Sequence, residues 1–345
     1  MQPGMEPQPL ASLMRYHREL FVDPLFWTSR HLDLVGCRFK WLKQTEYTGD
    51  NTVMHQAQNK DGTHKSTDFD QEPVRLPTSD PSDARRLATI SAATAKLGSL
   101  YRILVYEGSA FEVLCESGPK FYFAGQGIHR PKYPVFRRRK KDNQPSENET
   151  QSLIGYFDYL DLFYGRKERL QPMGHPTYNN APVARIFEKR LAQITPANWK
   201  EDPYLVCILL SIAQLQERSL ATKKPTTHTS RLLVAKWPDY EFIYLYEAQF
   251  TSELLGAIEN PKNATTYLKW PIITVKKIRF EPYDTFRERL VDELLRPPNL
   301  DCEIASNLKD GADRIVKSSA KRQHEEGDEP RTRRRKAGLN SGNRD

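Results

Sequence analysis

The sequence predicts an α+β fold: a small mixed sheet flanked by helices in the second half, an antiparallel meander with helices in the first, and a disordered basic tail. Three observations carry this. Residues Val183, Ile186, Phe187 and Leu191 recur at helical spacing, and YLVCILLSIAQLQ from Tyr204 is apolar nearly all round. FIYLYEAQF, residues 242–250, reads as a buried strand with Glu247 and Gln249 two positions apart. After about Leu308 the chain turns polar and charged, too poor in apolar residues to build a core.

Element by element, helical patterns run from about Leu10 and give way to CRFKWLKQTEY, where Cys37, Phe39 and Trp41 alternate as in a half-buried strand. Residues 48–82 are polar and turn-rich, too long for an ordinary connection, and are expected to be a mobile insertion. A helix is predicted over Asp83–Leu97, capped by Asp83 and stopped at Gly98. Three short strands, LYRILVY, AFEVLCE and PKFYFAG, should then form the meander, followed by an exposed basic linker over 129–150. In the second half, Pro182 opens a helix, and Asp202-Pro203 caps and opens the next. RLLVAKW (Arg231–Trp237) and EFIYLYEAQFT (Glu241–Thr251) read as strands joined at Pro238-Asp239-Tyr240. A short helix SELLGAIEN, a strand over Pro271–Phe280 and a helix capped by Asp284 complete the pattern. The implied organisation is an N-terminal region 1–128, a linker 129–150, a C-terminal α/β module 151–308 and a tail 309–345.

Composition excludes several classes. At 38% hydrophobic and 28% charged, with mean hydropathy −0.70, the chain is expected to hold folded blocks separated by solvated segments. Cys37, Cys115, Cys207 and Cys302 are too scattered for a C-x-x-C centre or a disulfide framework, so reduced thiols in an intracellular protein are expected. The longest apolar run is too short to span a bilayer, so no membrane association is expected. MQPGMEPQPL lacks the features of a secretory leader, so secretion is not expected. The eight histidines show no ligand spacing such as H-x-x-x-H and are expected on the surface or in loops. No G-x-S-x-G, Walker A or G-x-G-x-x-G motif is present.

The candidate chemistry sits on FIYLYEAQF. Period two places Ile243, Leu245, Glu247 and Gln249 on one face, and a carboxylate there needs a base, a metal or an exposed strand end. The local order of helix, strand, strand, helix, strand, helix over about 180–296, with Glu-x-Gln on the second strand, resembles the restriction-endonuclease-like superfamily. That family's PD-(D/E)xK motif sets two carboxylates around Mg²⁺ and a lysine beside the attacking water. The resemblance implies Glu247 for the second acid, Gln249 in place of the lysine and Asp239 for the first acid. Lys276 or Lys236 would then serve as a displaced lysine. The sequence departs from the motif in two ways: glutamine supplies no cation, and Asp239 sits in a tight turn only eight residues before Glu247. The plainer alternative is that Glu247 and Gln249 end a core strand and bond to neighbouring groups.

The tail carries the clearest address. Lys321-Arg322 and the cluster Arg331, Arg333, Arg334, Arg335, Lys336 flank a short polar spacer, which resembles a bipartite nuclear-import signal. Nuclear localisation and an import receptor as partner are therefore expected. From Lys317 onward, nine basic against five acidic residues leave +4 of the chain's net +8. Arg137–Lys141 and the tail are candidates for nonspecific nucleic-acid contact. RLLVAKWPDYEFIYLYEAQFTSELL and WPIITVKKIRFEPYDTFRERLVDELL together resemble proteins of filamentous ascomycete fungi that have no assigned reaction, some encoded beside secondary-metabolite genes. The sequence thus supports a non-catalytic binding or scaffolding protein of the nucleus, without a cofactor. The alternatives are a Mg²⁺-dependent nuclease and an accessory protein of a biosynthetic gene cluster.

Overall fold

The computed structural model describes residues 8–42, 80–139, 152–171, 181–219 and 226–298. The described residues up to Arg296 belong to one compact unit. The expected insertion up to residue 79, the end of the 129–150 stretch, Cys302 and the basic tail lie outside the described residues.

The fold is α+β. Seven strands among the described residues form one mixed sheet in the order β1-β9-β8-β7-β6-β5-β2, and β3 and β4 form a separate hairpin. The strands are β1 (Arg38–Trp41), β2 (Phe111–Cys115), β3 (Phe121–Phe123), β4 (Gln126–His129), β5 (Val135–Arg138), β6 (Leu153–Asp158), β7 (Thr227–Ala235), β8 (Phe242–Thr251) and β9 (Ile272–Arg279). β1 runs parallel to β9 and β6 parallel to β7, while the other neighbours are antiparallel. The parallel step from β6 to β7 needs a long crossover, supplied by helices α5 (Tyr159–Leu170), α6 (Ala181–Ile194) and α7 (Pro203–Ser219).

The sheet buries both faces. On one lies α7, whose Leu205, Ile208, Leu209 and Ile212 are fully buried against Leu232, Val234, Tyr244 and Tyr246. Each such aliphatic side chain contributes about 1.5–3 kcal/mol of burial. Gly155 in β6 permits this close approach, because a Cβ there would meet Ile212, Leu232 and Tyr133 at 3.0 Å. Helices α1 (Leu10–Tyr16), α2 (Ser29–Val35) and α8 (Ser252–Glu259) extend the same layer. The opposite face packs on α3 (Pro81–Thr89), α4 (Ala93–Leu104) and α9 (Phe286–Leu295) through Leu87, Leu100, Ile103, Phe286 and Leu290.

Several expectations match the structure. Asp202 caps α7, accepting from the Tyr204 N–H at 3.0 Å, with Pro203 in the first turn. Cys37, Phe39 and Trp41 frame β1, and β8, α8, β9 and α9 fall where their patterns place them.

The first half differs in instructive ways. The first five residues of LYRILVY, Leu100–Leu104, end α4 rather than forming a strand, and Gly98 lies inside that helix. Leu100, Ile103 and Leu104 recur at helical spacing and are all buried, so the tertiary contact selects the helix from an apolar run short enough to suit either. Asp83 caps nothing. Asp80 caps α3, while buried Asp83 accepts from Arg102 Nε at 2.8 Å. The meander is also rearranged, since β3 pairs with β4 whereas β2 pairs with β5. β5 lies within the stretch expected to be a linker, and its Val135 and Phe136 are fully buried. The basic run after Phe136 concealed that strand. In the second half, Asp284 caps no helix by its side chain either, because a short 3-10 turn over Tyr283–Thr285 precedes α9.

Candidate functional site

The β7–β8 hairpin positions the candidate residues. Its register pairs Arg231 with Glu247 and Thr229 with Gln249. Antiparallel partners directly opposite share a face, so a cation and a carboxylate are brought together across the ladder. Arg231 Nε donates to Glu247 Oε2 at 2.6 Å. The same guanidinium donates to the Leu294 carbonyl at 2.5 Å and the Arg296 carbonyl at 2.6 Å. A helix leaves its last carbonyls without intrahelical partners, and Arg231 fills that need at the end of α9. Only 3% of the Arg231 side chain and 12% of the Glu247 side chain are exposed. This neutralised pair meets the requirement that a buried carboxylate have a base.

Asp239 is elsewhere. It lies in the turn before β8, where its carboxylate accepts from the Phe242 N–H at 3.3 Å and the Tyr244 hydroxyl at 2.6 Å. Tyr244 belongs to the α7 face and Glu247 to the α9 face, so the two acids serve opposite sides of the sheet. Burial, followed by the Asp239 hydrogen bond, pushes the Tyr244 phenol up. Gln249 is half-buried on β8. Lys276 shares the Glu247 face but ion-pairs with Glu293 of α9 at 2.5 Å. Lys236 lies 4.9 Å from the Trp199 ring centre, and burial pulls its ammonium down. The residues at Glu247 therefore do not fit the Mg²⁺ site that the motif implies: the carboxylate faces a guanidinium, and the acid assigned beside it is across the sheet. Among the described residues, no group of three or more His, Cys, Asp or Glu side chains is arranged to hold a metal ion. No helix among them is long and apolar enough to cross a membrane.

The basic run at 137–141 is partly built into the fold. Arg137 Nε donates to Glu112 Oε1 at 2.6 Å, and Arg139 Nε donates to the Phe111 carbonyl at 3.1 Å. Both contacts fasten β5 to β2. Lys140, Lys141 and the import clusters lie outside the described residues.

Two of the histidines depart from the expected surface or loop placement, because His31 and His228 are buried. The His228 ring meets the Glu217 carboxylate through Nε2, and Ser252 Oγ reaches that same carboxylate oxygen at 2.7 Å. The order is serine, carboxylate, histidine, so the imidazole does not stand beside the hydroxyl as a general base must. The group instead ties the end of α7 to the start of β7 and of α8.

A second buried pair joins the helices of the crossover. Arg166 of α5 makes a two-pronged contact with Asp202, Nη1 to Oδ2 at 2.6 Å and Nη2 to Oδ1 at 2.9 Å. Its Nε donates to the Leu25 carbonyl at 2.8 Å, and the Tyr159 hydroxyl donates to Asp202 at 2.7 Å. Nothing in the local pattern around Arg166 marks it as buried. No protein-family model matches the chain, and no curated protein sequence matches it.

Proposed function

We propose that this is a nuclear-targeted, non-catalytic binding or scaffolding protein. The observation that supports this reading is the commitment of Glu247 to Arg231 and, through it, to the end of α9. A carboxylate that anchors a helix to a sheet is not poised to hold a metal-bound water. The nuclear part of the reading rests on Lys321-Arg322 and Arg331–Lys336, two cationic clusters spaced to meet two acidic grooves of an import receptor.

The two parts have separate tests. Supercoiled DNA incubated with the protein and Mg²⁺ should stay intact, with wild type and Glu247→Ala indistinguishable; nicking that depends on Glu247 would overturn the non-catalytic reading. A fluorescent fusion lacking Arg331–Lys336 should lose nuclear accumulation. Unchanged accumulation would remove the tail as the import signal.

A further inference from the structure

One end of the sheet gathers aromatic rings and cations on a single face. Directly opposite residues of β8 and β9 share a face, and the register sets Phe242 against Arg279 and Tyr244 against Lys277. Lys277 Nζ stands 5.2 Å from the Phe242 ring centre and 5.9 Å from that of Trp41 in β1. The Trp41 ring meets Tyr244 edge-on at 6.2 Å, and Tyr244 meets Trp199, just before α7, at 5.2 Å. Trp199 carries two ammonium groups, Lys236 at 4.9 Å and Lys200 at 5.7 Å from its ring centre. These contacts make one continuous band across the ends of β1, β7, β8 and β9.

The charges of the band are unequally committed. Glu201 accepts from the Trp41 indole at 3.0 Å and Asp239 from the Tyr244 hydroxyl at 2.6 Å. Glu241 lies 3.4 Å from Arg279, a pair exposed on both sides and therefore opened at little cost. Among the described residues, no carboxylate ion-pairs with Lys200, Lys236 or Lys277, which rest against ring faces. Burial pulls the Lys236 ammonium down, Asp239 opposes the fall, and repulsion from Lys200 adds to it. An anion beside both ammonium groups would relieve that repulsion. Next to Lys236, the turn from β7 to β8 carries Trp237, 40% exposed, and Tyr240, 47% exposed. Neither ring stacks on another ring or on a cation among the described residues.

We propose that this band binds single-stranded nucleic acid, with Lys200, Lys236, Lys277 and Arg279 meeting phosphates and Trp237 and Tyr240 stacking on bases. Exposed flat rings beside cations that lack acidic partners are the two components such binding uses. A duplex offers the same phosphates but keeps its bases stacked on one another, so the open rings favour the single strand. The band is separate from the basic run at 137–141, whose Arg137 lies on β5, beyond β6 in the sheet. The inference rests on the binding reading above and gives that reading a partner class.

The probe is a fluorescein-labelled strand of about twelve thymidines, titrated with the full chain and read by anisotropy across a salt series. Binding should weaken as salt rises. Trp237→Ala and Tyr240→Ala should each weaken it about fivefold or more. Lys200→Gln combined with Lys236→Gln should weaken it and reduce the slope of log affinity against log salt by about 1.4. Arg185→Gln combined with Lys189→Gln, at exposed positions of α6, removes the same charge elsewhere and should change affinity by less than about twofold. Circular dichroism and the urea midpoint verify that each variant is folded. No strand binding, binding unchanged by either the ring or the lysine changes in folded protein, or an equal loss in the α6 variant would overturn the proposal. So would a blunt duplex of the same length that binds as tightly. Poly-glutamate displacing the probe as well as unlabelled strand does would overturn it in favour of an acidic protein segment. The Trp237 dependence should persist when Arg331, Arg333, Arg334, Arg335 and Lys336 are changed to alanine; its loss would assign the contact to the tail. Failure of strand binding leaves the non-catalytic reading standing, whereas Glu247-dependent nicking defeats that reading whatever the strand does.

Discussion

Two buried arginines, Arg166 and Arg231, use the same chemistry to different ends. Arg166 directs two of its nitrogens to one carboxylate, and Asp202 in turn caps α7 and accepts from Tyr159. The result is a closed polar island, 2% exposed at the arginine and 0% at the aspartate. Arg231 gives one nitrogen to Glu247 and two to the carbonyls that end α9. The first pair locks helices to one another, and the second fastens a helix to the sheet. An isolated buried ion is costly, so what matters for stability is how many partners remain when one is removed.

That difference predicts unequal losses. Arg166→Met leaves Asp202 buried without its cation and should cost about 3–5 kcal/mol of unfolding free energy in urea. A loss below about 1 kcal/mol would show that water reaches the site and that the island is not closed. Asp239→Ala, which removes the acceptor of the Tyr244 hydroxyl at the turn, should cost only about 0.5–1.5 kcal/mol, read in the same way.

The smallest effect is expected in pH dependence at the Arg166 end. His129 Nε2 lies 2.8 Å from the hydroxyl of Tyr204, whose backbone N–H donates to Asp202. Its Nδ1 faces the Asp23 carboxylate. Burial pulls the His129 pKa below its ordinary 6.5, with Asp23 opposing. The unfolded chain therefore binds more protons here than the folded one. Stability from this group is fully present above pH 6.5 and is lost as pH falls below it. His129→Gln should flatten that acid-side decline without altering the plateau slope above it. An unchanged decline would place the pH sensitivity elsewhere.

Much of this was legible where local rules dominate. Pro182, Asp202-Pro203 and the alternation of FIYLYEAQF mark α6, α7 and β8 because caps, first-turn prolines and strand periodicity act over a few residues. LYRILVY was not legible, because seven apolar-rich residues suit a strand or a helix until Leu100, Ile103 and Leu104 meet the sheet. β5 was hidden by the arginines that follow Phe136, which fasten to Glu112 and the Phe111 carbonyl rather than to solvent alone.

For the site, the face of Glu247 could be read but not its partner. A signal existed: Arg231 and Glu247 stand eight residues either side of Asp239, the centre of the expected turn, so hairpin symmetry pairs them. The α9 carbonyls could not be foreseen, since their approach depends on a helix more than sixty residues away in sequence. Arg166 offered no comparable sign, as its partner lies 36 residues on, beyond α6.

The central claim is that Glu247 serves the fold through Arg231. A double-mutant cycle with Arg231→Met, Glu247→Leu and the combined variant, measured by urea unfolding, tests it directly. Each single change should destabilise, and the coupling between them should be about 1.5–3 kcal/mol in favour of the pair. A coupling near zero, with Glu247→Leu neutral or stabilising, would contradict the account and free Glu247 for another role.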